Sequence, residues 1–214
     1  MSDTKLKILM EATRLFNEKG TSEVSTNHIC EALSMSPGNL YYHYRSKEEI
    51  IIAIFKRMID SWDKAPPPQK PSMENLLLLF EQILTFLWEY RFIHREISSL
   101  YHQIEEFREI FKEVQARRMK EIKIVLQVYS AAGILRHMKP KEEERLIRII
   151  WFFSLYWLSY LETEGKQITK KNVKESTETM KSLLEPWMTD GFDSAVSKKV
   201  ETGVKDKKSN RRKT

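Results

Sequence analysis

The sequence predicts an all-α fold of about nine helices, and three observations support that class. Apolar residues recur at three- and four-residue spacing through most of the chain, which is the period of an amphipathic helix. No segment alternates polar and apolar residues between hairpin turns, as a half-buried strand would. Only six glycines are spread over the 214 residues, which leaves few sites for tight turns. A globular bundle of helices is therefore expected.

The first two helices are bounded by local signals. An apolar stripe over residues 8–16 marks the first helix, and Gly20 is a usual position for the left-handed residue that closes a helix. Ser25 or Thr26 is expected to cap the second helix. Residues 34–36, Ser-Met-Ser, are too few and too polar to be anything but a turn.

The third helix is short and begins directly after that turn. Ser36 is predicted as its N-cap, with Pro37 at the first helical position, where a missing N–H costs nothing. A capping box over residues 46–49, Ser-Lys-Glu-Glu, starts a fourth helix. Residues 25–44 therefore form two short helices joined by a three-residue turn, which matches a DNA-reading helix-turn-helix. The alternative interpretation is a plain helical hairpin.

The composition of the third helix separates these two interpretations. On a helical wheel, Leu40 and Tyr44 face the core, whereas the opposite face is polar. A groove-bound helix needs donors and acceptors for base edges, with phosphate-binding groups beside them. A packing helix would not normally expose such a set, so DNA binding is favoured. The outward and flanking residues are Gly38, Asn39, Tyr41, Tyr42 and His43.

Residues 6 to about 55 closely resemble the tetracycline-repressor (TetR) family of transcriptional regulators. The resemblance is carried by residues 8–16, Gly20, residues 25–29 and above all residues 40–49, Leu-Tyr-Tyr-His-Tyr-Arg-Ser-Lys-Glu-Glu. That aromatic block joined to the next helix cap makes the match specific. The resemblance implies that Thr26 and Tyr41 contact phosphates, Asn39 and Tyr42 meet the major groove, and His43 and Lys47 hold the DNA backbone.

Three segments are predicted along the chain. Residues 1–47 form the DNA-binding domain, residues 48–192 a helical ligand-binding and dimerisation domain, and residues 193–214 a basic, disordered tail. The proline-rich run at 65–71 cannot be helical and indicates a stiff connector. Further helices are expected near residues 73–90, 92–103, 105–131, 141–164 and 170–188.

A dimer is expected from the apolar helix at residues 146–161. This helix is apolar nearly all round, so it must be covered on more than one side, either by a second subunit or as an internal core helix. The family resemblance implies that the last two helices of each chain form a four-helix dimer interface, and two copies would read a palindrome in double-stranded DNA. The predicted interface residues are Trp157, Met180, Leu184 and Trp187.

An unidentified small-molecule effector is expected to bind in the body. Aromatic side chains with a few polar ones surround a site suited to an apolar or amphipathic ligand, although the same aromatics could simply fill the core. The predicted residues are Trp88, Phe92, His94, Glu96, Tyr101, Phe111, Trp151 and Tyr156. No metal is expected, because His94 and His102 stand eight residues apart without a cysteine partner.

Other function classes lack their sequence signals. There is no glycine-rich phosphate loop, nucleophile elbow or His-Glu-x-x-His, so neither catalysis nor a cofactor is predicted. The single cysteine, Cys30, cannot form an internal disulfide, so the cytoplasm is the expected location. Residues 146–161 fall short of the ~20 apolar residues of a membrane span, so no membrane partner is expected. The sequence thus predicts a homodimeric, ligand-responsive repressor. The remaining alternative is a helical protein that binds another protein.

The basic tail generates the first testable prediction. Residues 1–48 carry six basic and six acidic side chains, whereas residues 193–214 carry eight basic and three acidic ones, a balance of +5 out of the total of +6. Truncation after Ser197 should lower non-specific DNA affinity and flatten the salt dependence, because each neutralised phosphate contributes about −0.9 to the slope of log K against log salt. The preferred operator should not change. Matching slopes for both proteins would show that the tail only aids solubility.

Overall fold

The computed structural model describes residues 3–64, 70–166 and 170–189, and these ranges contain ten α-helices and no strand. The all-α expectation is therefore confirmed. The predicted tail and most of the predicted connector lie outside the described residues. The helices in chain order are α1 (Asp3–Lys19), α2 (Thr26–Ala32), α3 (Pro37–His43), α4 (Lys47–Asp63), α5 (Met73–Glu89), α6 (Arg91–Arg95), α7 (Ile97–Gln103), α8 (Glu105–Ala131), α9 (Pro140–Thr163) and α10 (Lys170–Leu184).

Helices α2, α3 and α4 begin at serine caps. The hydroxyl groups of Ser25, Ser36 and Ser46 each accept a hydrogen bond from the backbone N–H three residues later, at 3.2 or 3.3 Å. Each bond satisfies an N–H that has no partner within the helix. At the other end of α1, Gly20 has φ +84°, a left-handed conformation that closes the helix. These predicted boundaries are confirmed, with Ser25 as the cap of α2.

Two predicted helices differ in the structure. The single helix expected over residues 92–103 is broken at Glu96, whose φ of −109° and ψ of 12° separate α6 from α7. The side chain of Glu96 binds the distant turn at Thr21, and no local sequence signal reports that contact. The last helix ends at Leu184, because Pro186 has no N–H to continue the helical ladder, and a 3₁₀ turn follows.

The N-terminal helices share a hydrophobic cluster with the body. Phe16 of α1 packs on Phe92 of α6 with ring centroids 5.2 Å apart, and Phe55 of α4 stacks on Phe107 of α8 at 4.5 Å. All four rings are at most 1% exposed. Burial of each such ring stabilises the fold by about 1.5–3 kcal/mol, so these contacts hold α1 and α4 firmly on the body.

A second cluster fills the other half of the body. Phe80 of α5 packs against Phe153 of α9 with ring centroids 5.4 Å apart, and Met180 and Leu184 of α10 complete the cluster. Helix α9 joins the two halves, since its 24 residues span about 36 Å at ~1.5 Å per residue. Within the described ranges, no helix combines the length and apolar composition that a bilayer crossing requires.

The imidazole of His94 is buried and has no hydrogen-bond partner among the described residues. Its side chain is 5% exposed, and neither Nδ1 nor Nε2 has a partner. Burial disfavours the charged imidazolium and lowers the pKa of His94 from 6.5 to about 4. The neutral ring is therefore the native form at neutral pH.

We expect His94 to weaken the fold in acid. Its native pKa of about 4 lies below the unfolded value of 6.5, so its stabilising contribution is complete above pH 6.5 and is lost as the pH falls through 4. The loss amounts to up to about 3 kcal/mol of unfolding free energy. Urea unfolding of His94→Leu between pH 7 and pH 4 should show a shallower decline than the wild type, whereas exposed His102→Leu should not. Equal declines for wild type and His94→Leu would contradict this prediction.

Candidate nucleic-acid interface

Helix α3 is fixed in place by the residues on its inner face. Leu40 is fully buried and Tyr44 is 5% exposed, as the helical wheel predicts. The turn before α3 is closed by a 2.9 Å hydrogen bond from the N–H of Met35 to the carbonyl of Cys30, and Ser34 adopts a left-handed φ of 51°. The outer face of α3 is therefore held in a defined orientation.

That outer face is polar and accessible. Tyr42 is 84% exposed, Tyr41 is 47% exposed, and Asn39, near the start of the helix, is also exposed. His43 is half-buried, and its ring makes a T-shaped contact with the Tyr42 ring, with centroids 5.0 Å apart. A seven-residue helix with an amide, two phenols and an imidazole available has the groups needed to contact base edges and phosphates.

Two of the predicted phosphate ligands meet across the helix-turn-helix. The hydroxyl oxygens of Thr26, at the start of α2, and Tyr41, on α3, are 3.0 Å apart. When one hydroxyl donates to the other, the second keeps its own proton for a third group. The pair can therefore present a donor at a fixed position beside α3.

The side chain of Lys47, another of the predicted DNA-backbone contacts, is directed to the turn after α1. Its Nζ donates to the carbonyl oxygen of Thr21 at 2.6 Å, and the side chain is half-buried. An ammonium group has three N–H donors, so two remain for another acceptor. The structure therefore brings Thr26 and Tyr41 together but ties Lys47 to the turn after α1.

The links around α2 and α4 include contacts that the sequence analysis missed. Nδ1 of His28 accepts a 3.3 Å hydrogen bond from the N–H of Ser25, so serine and histidine form a reciprocal capping box. The Ser-x-x-His spacing was the available signal. In a capping box over residues 46–49, the carboxylate of Glu49 would accept from the N–H of Ser46. At α4 it accepts instead from the N–H of Arg45, one residue earlier, at 2.6 Å. This bond ties the end of α3 to the start of α4.

The structure brings four of the predicted effector residues together. Tyr101, Phe111 and Trp151 are contiguous, with ring centroids 6.0 Å and 6.4 Å apart. Phe92 belongs to the buried cluster against which these three rings pack, whereas Tyr156 is 42% exposed on α9.

The remaining three predicted effector residues also have separate surroundings. Trp88 lies under the guanidinium of Arg91 at 4.0 Å, Glu96 binds the Thr21 turn, and His94 is buried without a partner. The described surface carries an open groove of about 380 Å³ on α5 and another of about 330 Å³ between α4 and α8. Neither groove contains any of the eight residues. The effector site therefore stays a prediction.

The predicted dimer residues lie mostly inside one chain. Met180 and Leu184 are 2% and 3% exposed, which leaves them little surface for a partner. Trp157 stacks on Phe153 at 4.3 Å and donates to the hydroxyl of Ser176 at 2.5 Å. Trp187 is half-buried beside them.

An exposed apolar stripe on α9 was missed. Its four residues follow each other at intervals of three, four and four positions, which places them on one helix face. The spacing is visible in the sequence, but residues 146–161 of α9 are apolar nearly all round, so the spacing alone does not distinguish the exposed face from the buried ones. The residues are Ile149, Phe152, Tyr156 and Tyr160, between 41% and 64% exposed.

Family models match both parts of the chain. Residues 8–54 match the model for bacterial regulatory proteins of the tetR family, and residues 54–196 match the TetR model, a bacterial transcriptional repressor. Relatives are likewise named as regulators. The regulator UidR of Escherichia coli is 28% identical over 117 residues, 55% of this chain and 53% of UidR, so the match spans about half the length of that relative. HbdR of Aromatoleum is 23% identical over 92% of this chain and 86% of its own.

Solved structures show the same fold. A TetR-family regulator from Marinobacter aquaeolei has a TM-score of 0.81 at 28% identity, covering 94% of this chain and 98% of that one. GusR of Salmonella enterica has a TM-score of 0.63 at 20% identity over 86% and 95% of the two chains, a likeness of fold alone. With family models matched on both sides of residue 54 and a helix-turn-helix exposed at α3, this chain belongs to the TetR family of DNA-binding transcriptional regulators.

Proposed function

We propose that the chain is a homodimeric repressor that binds a palindromic operator, and that a small apolar or amphipathic molecule in the body modulates this binding. The observation that carries the proposal is the polar outer face of α3, where Asn39, Tyr41 and Tyr42 are exposed while Leu40 anchors the helix from behind. The repressor role is supported by the matched model over residues 54–196. Residues 1–47 bind DNA and residues 48–192 dimerise and bind the effector.

Within this proposal, Asn39 and Tyr42 read bases. Asn39 stands near the start of α3, and the first residues of a recognition helix are those that contact base edges in the major groove. Its amide suits the donor and acceptor pair of adenine, and the ring of Tyr42 offers an apolar surface with a hydroxyl at its end.

The phosphate contacts are assigned to the flanks of α3. Thr26 and Tyr41 donate from their paired hydroxyls, His43 donates from its half-buried ring, and Lys47 donates from the two N–H groups that the Thr21 carbonyl leaves available. Such contacts set the position of the protein on DNA without reporting base identity.

Dimerisation is assigned to α9, with the exposed stripe at its centre. Phe152 is 64% exposed and packs on Tyr156 at 5.1 Å, so the two rings form a continuous apolar surface. Large exposed apolar patches on one helix face are typical of protein interfaces. Trp157 packs on Tyr160 of the stripe with ring centroids 5.2 Å apart, whereas Trp187 packs against the internal cluster that contains Met180 and Leu184.

The effector is assigned to the body because that is where buried polar groups lack partners. Among the described residues, every such side-chain atom belongs to a residue between 91 and 187, including both nitrogens of His94 and the Nε1 of Trp151. An unsatisfied buried donor costs about 1–3 kcal/mol, and a ligand that pairs with it recovers this energy. To release DNA, the effector must bind the arrangement of the dimer that cannot bind DNA more tightly than the arrangement that can.

The proposed function includes no catalysis, and the proposed location is the cytoplasm.

The decisive experiment is selection of bound sequences from a random pool of double-stranded DNA. The proposal requires enrichment of a palindrome whose half-sites are separated by about one helical turn, ~34–36 Å. Recovery of no consensus would favour a protein-binding role for the same fold. An unpaired, single half-site would retain DNA binding and reject the dimer.

Substitutions on α3 should have two different effects on DNA binding, a loss of base discrimination or a uniform loss of affinity. Asn39→Ala and Tyr42→Ala should reduce the discrimination between operator and altered half-sites by ~1–3 kcal/mol, because base contacts are lost. Tyr41→Phe removes only the hydroxyl that pairs with Thr26, so it should weaken all sequences about equally. Fluorescence anisotropy with matched operators measures both effects. Unaltered discrimination in Asn39→Ala and Tyr42→Ala would reject the assignment.

A charge in the α9 stripe should separate the subunits. Phe152→Glu is expected to give folded monomers in sedimentation velocity, since a buried, unpaired carboxylate opposes association. Met10→Glu is the matched control, because Met10 is similarly exposed, at 61%, but lies on α1. A folded Phe152→Glu protein that stays fully dimeric would move the interface to another surface.

A further inference from the structure

A set of polar side chains connects the N-terminal helices to the body. It joins the end of α1 and the turn after it to α4, α6 and α9, through hydrogen bonds between residues far apart in sequence. We refer to it as the polar junction. Its members are Asn17, Thr21, Lys47, Arg95, Glu96 and Glu162.

One half of the polar junction links α1 to α6 and α9. The amide of Asn17, which is 6% exposed, donates to the carbonyl of Glu89 at 2.8 Å and accepts from the N–H of Phe92 at 3.0 Å. Arg95 donates to the carbonyl of Asn17 at 2.7 Å and pairs through two nitrogens with Glu162, at 2.6 and 2.5 Å. The end of α1 is thus fixed to both α6 and α9.

The other half holds the turn after α1. Glu96 accepts two hydrogen bonds from Thr21, one from its N–H at 2.8 Å and one from its hydroxyl. The carbonyl of Thr21 accepts from Lys47, so all three polar groups of this residue are engaged. A side chain at Gly20 would place its Cβ 3.1 Å from the Glu96 carboxylate, so the turn lies directly against that group.

Apolar and polar contacts act differently at this boundary. The packing of Phe16 on Phe92 holds the two parts together, but apolar burial has no preferred direction. Hydrogen bonds weaken steeply away from linear geometry, and those to a carboxylate are the stronger kind. The polar junction is therefore the part of this boundary that can fix the angle between the helix-turn-helix and the body. Among the described residues, Glu96, which follows α6, is the residue of the body that binds the N–H and the hydroxyl of Thr21.

We propose that Glu96 is a positioning residue that fixes the angle of the helix-turn-helix on the body and thereby selects the spacing between operator half-sites. In a dimer, rotation of each helix-turn-helix about the Thr21 turn changes the separation of the two α3 helices. Only one separation fits half-sites a given distance apart. This inference rests on the proposed dimer and its palindromic operator.

The test measures binding to palindromes whose half-site spacing is varied one base pair at a time, and to an isolated half-site. Glu96→Ala should lose about tenfold in affinity at the preferred spacing, the scale of losing hydrogen bonds to a charged group, while its half-site affinity stays within about twofold of wild type. Glu96→Gln should restore most of the preference, because its amide accepts from the N–H of Thr21 and donates to its hydroxyl oxygen.

Glu109→Ala is the matched control. This exposed carboxylate accepts from Lys112 at 3.0 Å within α8 and takes no part in the polar junction or in the α9 stripe, so the wild-type spacing profile should persist. Thermal unfolding verifies that each variant is folded. A loss caused by damaged folding would lower affinity equally at every spacing, and that result, or a wild-type profile in Glu96→Ala, would overturn the proposal.

A second measurement needs no DNA. Spin labels at Met10→Cys and Glu113→Cys, in a Cys30→Ala background and diluted into unlabelled protein, report the distance between α1 and α8 within one chain by pulsed electron resonance. Both sites are exposed, and Cys30 is the single cysteine. Glu96→Ala should broaden the distance distribution, and an unchanged distribution would overturn the role of Glu96. If the wild type selects no palindrome, the proposed function fails, while this distance still decides whether Glu96 sets the angle.

Discussion

The fold depends on a hydrophobic cluster that the DNA-binding helices share with the body. Phe16 and Phe55 from the N-terminal helices pack on Phe92 and Phe107 from the body, and all four rings are essentially inaccessible to water. A unit of about 50 residues buries too small a fraction of its surface to be very stable alone. Contact with the body supplies the missing apolar surface. The placement of α3 in space is therefore a result of folding the whole chain.

Polar contacts then add direction to that apolar attachment. In the N-terminal helices they are complete: the amide of Asn17 uses both its donor and its acceptor, and the three polar groups of Thr21 are all bonded. In the body they are incomplete, since His94 has no partner at either nitrogen. This difference is consistent with the proposed function, in which the helix-turn-helix keeps one geometry and the body rearranges when the effector binds. A partly satisfied interior has less to lose when it rearranges.

The sequence predicted those elements whose signals are local. The starts of α3 and α4 followed from Ser36 and Ser46, and the buried side of α3 followed from the spacing of Leu40 and Tyr44. These features depend on residues three or four positions apart, so they can be read directly. The family resemblance extended the prediction to the DNA-facing residues because their order along the chain is specific.

Contacts between residues far apart in the chain could not be predicted from the sequence. Glu96, at which the predicted helix is broken, binds Thr21, 75 residues earlier, and no local pattern encodes that pairing. On α9 and α10, periodicity showed that Leu184 and Phe152 lie on apolar faces, but not which face meets the same chain and which meets solvent. That choice depends on how the helices pack. The effector residues stay a prediction for the same reason, since aromatic composition does not report whether side chains enclose a space or fill one.

The exposure of Tyr42 has a consequence for how such a regulator changes over generations. Because 84% of this side chain is free of the fold, its replacement alters few intramolecular contacts, whereas a change at Leu40 would open a cavity in the core. Most random substitutions destabilise a protein that is only marginally stable, and many lineages are lost for that reason. Substitutions on the outer face of α3 avoid this penalty. If these residues read bases as proposed, gene duplication followed by changes at such positions would yield copies with new target sequences and little loss of stability.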